Sequence, residues 1–77
     1  MFHGEIAMTK GYAIFNGREF LENELVLMSL SGRVIRKISG VGTITISLKG
    51  IESGVYMCAV RNKNGLLIAT KLISIMQ

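Results

Sequence analysis

Apolar and polar residues alternate without interruption along residues 43–48, Thr-Ile-Thr-Ile-Ser-Leu. Successive side chains of a β-strand point to opposite faces, so a period of two places Ile44, Ile46 and Leu48 on the same face. A helix would require a period of 3.6 instead. The continuously apolar run at 24–30 is typical of a strand that is buried on both faces. The chain is therefore predicted to form β-structure without a long helix.

Glycine-containing turn signals separate the apolar runs at short intervals. Asn16-Gly17 and Asn64-Gly65 are the strongest hairpin signals, because a type I′ turn requires positive φ at both central positions. The segment 18–24 fits either a strand or a helical turn. We predict about seven strands near 5–8, 11–15, 18–21 or 24–30, 33–38, 43–48, 54–61 and 66–75. Short strands with frequent turns favour an all-β fold, an antiparallel immunoglobulin-like β-sandwich.

The chain has 77 residues, of which 49% are hydrophobic. This length predicts a single domain over residues 1–77, and the composition excludes a disordered tail. A domain of this size buries only about 60% of its unfolded surface, so most apolar residues are needed for packing. Little room remains for a buried active site.

The formal net charge is +4, from nine basic and five acidic residues. Residues 25–77 contain seven of the basic residues and only one acid, Glu52. Such a basic segment could bind nucleic acid, anionic lipid or acidic glycan. The favoured interpretation is that these are scattered charges on a solvated sheet face. Four of the five aromatic residues lie in the acidic first third, which argues against nucleic-acid binding by stacking. Tyr12 and Phe15 remain a candidate carbohydrate platform.

Candidate catalytic or metal-binding residues are scarce. His3 and Cys58 are the only histidine and the only cysteine, and together they cannot form a His/Cys metal site. Cys58 lies within an apolar run and is expected to be buried and unreactive. We therefore predict no enzyme activity, no metal and no cofactor. No run approaches the roughly 18 apolar residues of a membrane helix, so no membrane span is predicted.

Three short motifs occur in order along the chain. Ser31-Gly32-Arg33 separates two apolar strands, and Gly54-Val55-Tyr56 follows a strand that ends at Leu48. A tyrosine at such a sandwich corner typically hydrogen-bonds back to the upstream backbone. The third motif is the final strand, Lys71 to Ile75.

This order of motifs resembles the C-terminal sorting domain of type IX secretion cargo from the Bacteroidetes and Fibrobacter lineages. The resemblance covers residues 24–76. Residues 1–23 match poorly, because the family often opens with a Pro-Asn-Pro-like stretch and this chain has no proline. By residue, the candidate sorting positions are Gly32, Arg33, Gly54, Tyr56, Lys71, Ile73 and Ile75.

The resemblance implies a non-catalytic domain that is fused to an upstream cargo protein. It implies transit through the periplasm, docking on the outer-membrane type IX translocon, and processing by a sortase-like peptidase at the cell surface. Arg33 and Lys71 are the residues expected to touch a partner, because a strand does not require a charge. Self-association through an exposed edge strand is a further expectation. The alternative interpretation is an accessory sandwich that binds a carbohydrate or protein ligand through its sheet face or loop tips.

Overall fold

A computed structural model describes residues 5–77, and all regular structure in this part of the chain is β-strand. The prediction of an all-β fold is confirmed. The seven strands are β1 Ile6–Thr9, β2 Tyr12–Asn16, β3 Glu22–Ser29, β4 Val34–Val41, β5 Thr43–Ser47, β6 Gly54–Asn62 and β7 Leu67–Ile75.

The strands form two antiparallel sheets that face each other. One sheet has the order β1-β2-β5 and the other has the order β4-β3-β6-β7. The chain changes sheets between β2 and β3, between β4 and β5, and between β5 and β6, as in an immunoglobulin-like sandwich. In this arrangement β4 lies opposite β5, and β7 lies opposite β1.

The core lies between the sheets and follows the sequence pattern. Ile44, Ile46 and Leu48 are all buried, as the strict alternation predicts. Leu25 and Leu27 of β3 face the core, whereas Val26 lies on the outer face of the larger sheet and is buried there between the neighbouring strands β4 and β6. The prediction of burial on both faces therefore holds for residues 25–27, whereas Met28 is half-buried and Leu30 is 64% exposed.

The Asn16-Gly17 signal does not form the predicted hairpin. The hairpin between β1 and β2 turns at Lys10-Gly11, and only Gly11 of these has positive φ. After Asn16 the chain instead leaves the smaller sheet. Residues 18–21 form one hydrogen-bonded turn, in which the Leu21 amide donates to the Arg18 carbonyl at 3.1 Å, and β3 begins directly afterwards.

The Asn64-Gly65 signal does mark a hairpin, between β6 and β7, but not through a type I′ turn. Gly65 has a φ of +83°, whereas no non-glycine residue among residues 5–77 has positive φ. The Gly65 amide donates to the Asn62 carbonyl, and the Asn62 amide donates to the Leu66 carbonyl, both at 2.9 Å. This is the pattern of a longer hairpin loop with one left-handed glycine.

Each edge strand of the larger sheet contains one β-bulge. The pairing register shifts at Leu27/Met28 against β4 and at Val60/Arg61 against β7. The extra residues are Ile35 and Ile68, and both are partly buried against the core. A bulge adds one residue and re-aims a side chain, so here the bulges supply two more isoleucines to a small core.

A basic side chain connects the two sheets at each open side of the sandwich. On β4, the Arg36 guanidinium donates to the backbone carbonyls of Ser47 at 2.7 Å and Lys49 at 2.6 Å. On β7, the Lys71 ammonium donates to the Ile6 carbonyl at 3.2 Å. Because these carbonyls belong to the opposite sheet or the loop that follows it, both cations close the sandwich along its edges.

Candidate functional site

The strand register brings the three sequence motifs to one end of the larger sheet. Ser29 at the end of β3 pairs with Tyr56, and Tyr56 pairs with Ile73. Gly54 pairs with Ile75 at the end of β7. We call this the motif end, defined by Gly32, Arg33, Gly54, Tyr56 and Ile75. The turn between β1 and β2 also lies there, because the Leu48 amide donates to the Gly11 carbonyl.

Gly32 and Arg33 form the exposed turn between β3 and β4. Gly32 has a φ of +93°, which an L side chain rarely adopts, so the glycine shapes the turn. The Ser29 hydroxyl accepts a hydrogen bond from the Arg33 amide at 3.1 Å. The Arg33 side chain is exposed and has no hydrogen-bond partner among the described residues. The Arg33 side chain is therefore accessible to another molecule, and its contact with a partner stays a prediction.

The segment between β5 and β6 forms the expected tyrosine corner. The Tyr56 hydroxyl donates to the Glu52 carbonyl at 2.7 Å, which joins the first residues of β6 to the loop before them. Gly54 lies against the aromatic ring, since a Cβ built on it would be 3.5 Å from ring atom Cε1 of Tyr56. Both residues thus build the corner, which fixes the path of residues 52–54.

The same corner holds the residues that follow β7. The Gln77 amide donates to the Ser53 hydroxyl at 2.9 Å, and the Gln77 side-chain amide donates to the Leu48 carbonyl at 2.8 Å. Ser53 lies next to Glu52, whose carbonyl is held by Tyr56. The second and third motifs are therefore parts of one hydrogen-bonded unit. The sequence interpretation did not identify Ser53 or Gln77, because neither residue belongs to a recognisable pattern.

The side chains of the candidate residues in the final strand make contacts within the domain itself. Ile73 and Ile75 are buried in the core, so their side chains do not face a partner while the domain is folded. The Lys71 ammonium donates to the Ile6 carbonyl within the domain, and contact of this exposed residue with a partner stays a prediction. The backbone of β7 remains accessible, because β7 is an edge strand and pairs only with β6 in the described part of the chain.

The proposed aromatic platform is not present. Phe15 is fully buried, whereas Tyr12 is 48% exposed, because the two side chains lie on opposite faces of β2. The expectation that Tyr12 and Phe15 together form a carbohydrate platform is wrong: three residues apart on a strand, they cannot share a face.

The outer face of the larger sheet carries an apolar row that crosses all four strands. The paired residues in this row are Val34, Met28, Met57 and Leu72. Val34 and Leu72 are more than half exposed. The row is aliphatic and thioether in character, so the face lacks the aromatic rings on which sugars or bases stack.

The structure shows no arrangement for metal chemistry in residues 5–77, where no three His, Cys, Asp or Glu side chains are grouped to hold an ion. His3 lies outside the described residues. Over the same range, no helix has the length and apolar character needed to cross a bilayer.

Cys58 is fully buried in β6, as expected from its apolar neighbours. Burial raises the pKa of its thiol from 9.0 to about 11, and the positive charge of Lys71 offsets part of this rise. Because the folded pKa exceeds the unfolded one, the contribution of this group to stability is complete below pH 9.0 and is lost as the pH rises towards about 11.

We expect Cys58 in the native protein to react with an aromatic disulfide reagent at least about 100-fold more slowly than in urea. The reason is that a pKa raised by two units lowers the fraction of reactive thiolate about 100-fold. The absorbance change on thiol release measures both rates. Equal rates in the native and the urea-unfolded protein would show that β6 opens to solvent.

Comparison with protein families gives a match to the secretion system C-terminal sorting domain over residues 9–75. The match begins before residue 24, where the resemblance in the sequence starts, and so includes all of β2. No curated protein and no solved structure gave a significant match.

Proposed function

The chain belongs to the secretion system C-terminal sorting domain family of type IX secretion, and we propose that it directs a fused cargo protein across the outer membrane to the cell surface. The observation that carries this proposal is the family match over residues 9–75, which includes β2 to β7. The convergence of the three motifs at the motif end supports it.

In this proposal residues 1–77 act as one non-catalytic domain. The domain folds in the periplasm and docks on the outer-membrane translocon, and a sortase-like peptidase then separates it from its cargo. Gly32, Gly54, Tyr56, Ile73 and Ile75 shape the motif end, because their side chains or backbone angles are used within the fold. Arg33 is the candidate for direct contact, since its guanidinium is exposed.

The backbone of β7 offers the translocon a second kind of contact. An unpaired edge strand presents amide and carbonyl groups that an incoming strand can pair with. Pairing of this kind uses no side chain of Ile73 or Ile75, so it is compatible with their burial. The same edge could instead pair with a second copy of the domain.

The test is export of a periplasm-directed reporter with residues 1–77 at its C-terminus. The whole chain is needed, because β2 pairs with β5 and contributes Phe15 to the core. We expect the reporter to appear at the surface or in the medium of a type IX-competent host, and to stay in the periplasm of a matched host without that system. Surface protease accessibility and immunoblotting of cell fractions measure the distribution.

Deletion of Lys71 to Gln77 is a poor control, because it removes Ile73 and Ile75 from the core. A more specific variant is Arg33→Glu, which changes an exposed charge beside the turn glycine and should leave the fold intact. A wild-type fusion that is folded yet stays in the periplasm of the competent host would refute the sorting proposal. The binding-module alternative would then take its place.

A further inference from the structure

The charges of the domain are separated along the strand direction. The motif end carries three exposed basic residues and one acid: Lys10, Arg33, Lys49 and Glu52. The opposite end carries four acids against three bases: Glu5, Glu19, Glu22, Glu24, Arg18, Arg61 and Lys63. The remaining basic residues lie between the two ends. A positive field therefore extends from the motif end, where it can steer and select a negatively charged partner.

A cleft of about 430 Å³ opens at the same end. It lies between the turn that joins β1 to β2, the start of the loop after β5, and the residues that end β7. Its apolar lining includes the buried residues Leu48 and Ile75, together with Met8 and Met76. Met76 is 89% exposed, so an apolar group entering the cleft would cover a side chain that water now surrounds.

Two lysines complete this cleft. Lys10 and Lys49 both line it, both are exposed, and neither ammonium has a hydrogen-bond partner among the described residues. No carboxylate side chain lines the cleft. Its volume lies within the range of about 300–1,000 Å³ that is usual for small-ligand sites. The lining thus combines an apolar floor with two unpaired positive charges.

We propose that this cleft binds an acidic peptide segment of the translocon on which the domain docks. One apolar side chain of the segment would lie on the floor of the cleft, and its carboxylates would lie against Lys10 and Lys49. This inference rests on the proposed sorting function, for which it supplies the chemistry of the partner. The cleft adjoins Gln77, so the segment would contact the end of the final strand and the tyrosine corner together.

The first test is a titration of the isotopically labelled chain with the tetrapeptide acetyl-Glu-Leu-Glu-Leu-amide, followed by amide chemical shifts. We expect shifts at Gly11, Lys49 and residues 75–77. The double variant Lys10→Glu/Lys49→Glu should bind about tenfold more weakly or worse, since charge reversal replaces attraction by repulsion. The control is Lys63→Glu, which reverses a single charge at the opposite end and should bind as the wild type does.

Other outcomes of this test would overturn the inference. Equal shifts with acetyl-Lys-Leu-Lys-Leu-amide would show that charge does not select the ligand. Binding to phosphatidylglycerol vesicles without any response to the acidic peptide would assign the cleft to a lipid surface. A dimer in sedimentation experiments that the double variant abolishes would assign it to a second copy of the domain.

The second test places the variants in the reporter fusion. We expect the Lys10→Glu/Lys49→Glu fusion to be trapped in the periplasm, while the Lys63→Glu fusion is exported. Circular dichroism and urea unfolding establish that both variants remain folded. If the wild type and the double variant are exported equally, the cleft inference fails while the sorting proposal stands. If the folded wild-type fusion is itself retained, the sorting proposal fails.

Discussion

The substitution Gly17→Ala is expected to lower the free energy of unfolding by about 2 kcal/mol, the usual scale of overpacking in a tight interior. A Cβ at this position would lie 2.9 Å from the Gly42 carbonyl oxygen and 2.9 Å from ring atom Cε2 of Phe15, and 3.2 Å from the Asn23 side-chain nitrogen. Phe15 is fully buried, and the carbonyl belongs to the backbone, so neither can move away at low cost. The urea midpoint measures the loss.

Gly40→Ala is the matched control for this prediction. Gly40, like Gly17, has no positive φ, but a Cβ there would meet only the Ile44 side chain, at an ordinary 3.7 Å. We expect this variant to be as stable as the wild type or slightly more so, because alanine restricts the unfolded chain. If the two variants unfold at the same urea concentration, close approach at Gly17 is not what fixes the crossing between the sheets.

The pattern of buried strands was predictable because it depends on local alternation alone. Ile44, Ile46 and Leu48 follow from a period of two, whichever strand lies beside them. The continuous run in β3 also indicated burial on both faces, which holds for residues 25–27, where β3 lies between β4 and β6. These features identify the core without any knowledge of the topology.

The role of Gly17 was not predictable in this way. Asn-Gly is a hairpin signal because of backbone angles, yet Gly17 has no positive φ. Glycine is required there because a second connection, at Gly42, passes within contact distance. Such an approach depends on segments 25 residues apart in the chain, so a local pattern cannot distinguish it from a turn.

In the candidate site too, features that depend on nearby residues were predictable, and contacts between distant segments were not. The tyrosine corner was predictable because its partner, Glu52, lies four residues upstream. The contacts of Lys71 with Ile6 and of Arg36 with the loop after β5 were not, since both cross from one sheet to the other. A charged residue in an edge strand is compatible with partner recognition and with closure of the sandwich, and only the geometry distinguishes these roles.

Tyr56→Phe is expected to lower the free energy of unfolding by about 1 kcal/mol, the usual net value of one hydrogen bond. The ring stays in place against Gly54, while the Glu52 carbonyl loses its donor. Because Ser53 follows Glu52 and accepts the hydrogen bond of the Gln77 amide, the end of the chain should also become looser. Hydrogen exchange at Gln77 should therefore accelerate by more than the change in global stability predicts.

Tyr12→Phe is the matched control, since it removes a hydroxyl that is exposed and has no hydrogen-bond partner among residues 5–77. We expect it to leave both the urea midpoint and the exchange of Gln77 unchanged. If Tyr56→Phe shifts the midpoint but Gln77 exchanges at the wild-type rate, the corner stabilises the sandwich without holding the chain end. An unchanged midpoint would mean that water replaces the hydroxyl at no cost. The contribution of Ser53 to holding the Gln77 amide is then tested separately by Ser53→Ala, through the exchange rate of the same amide.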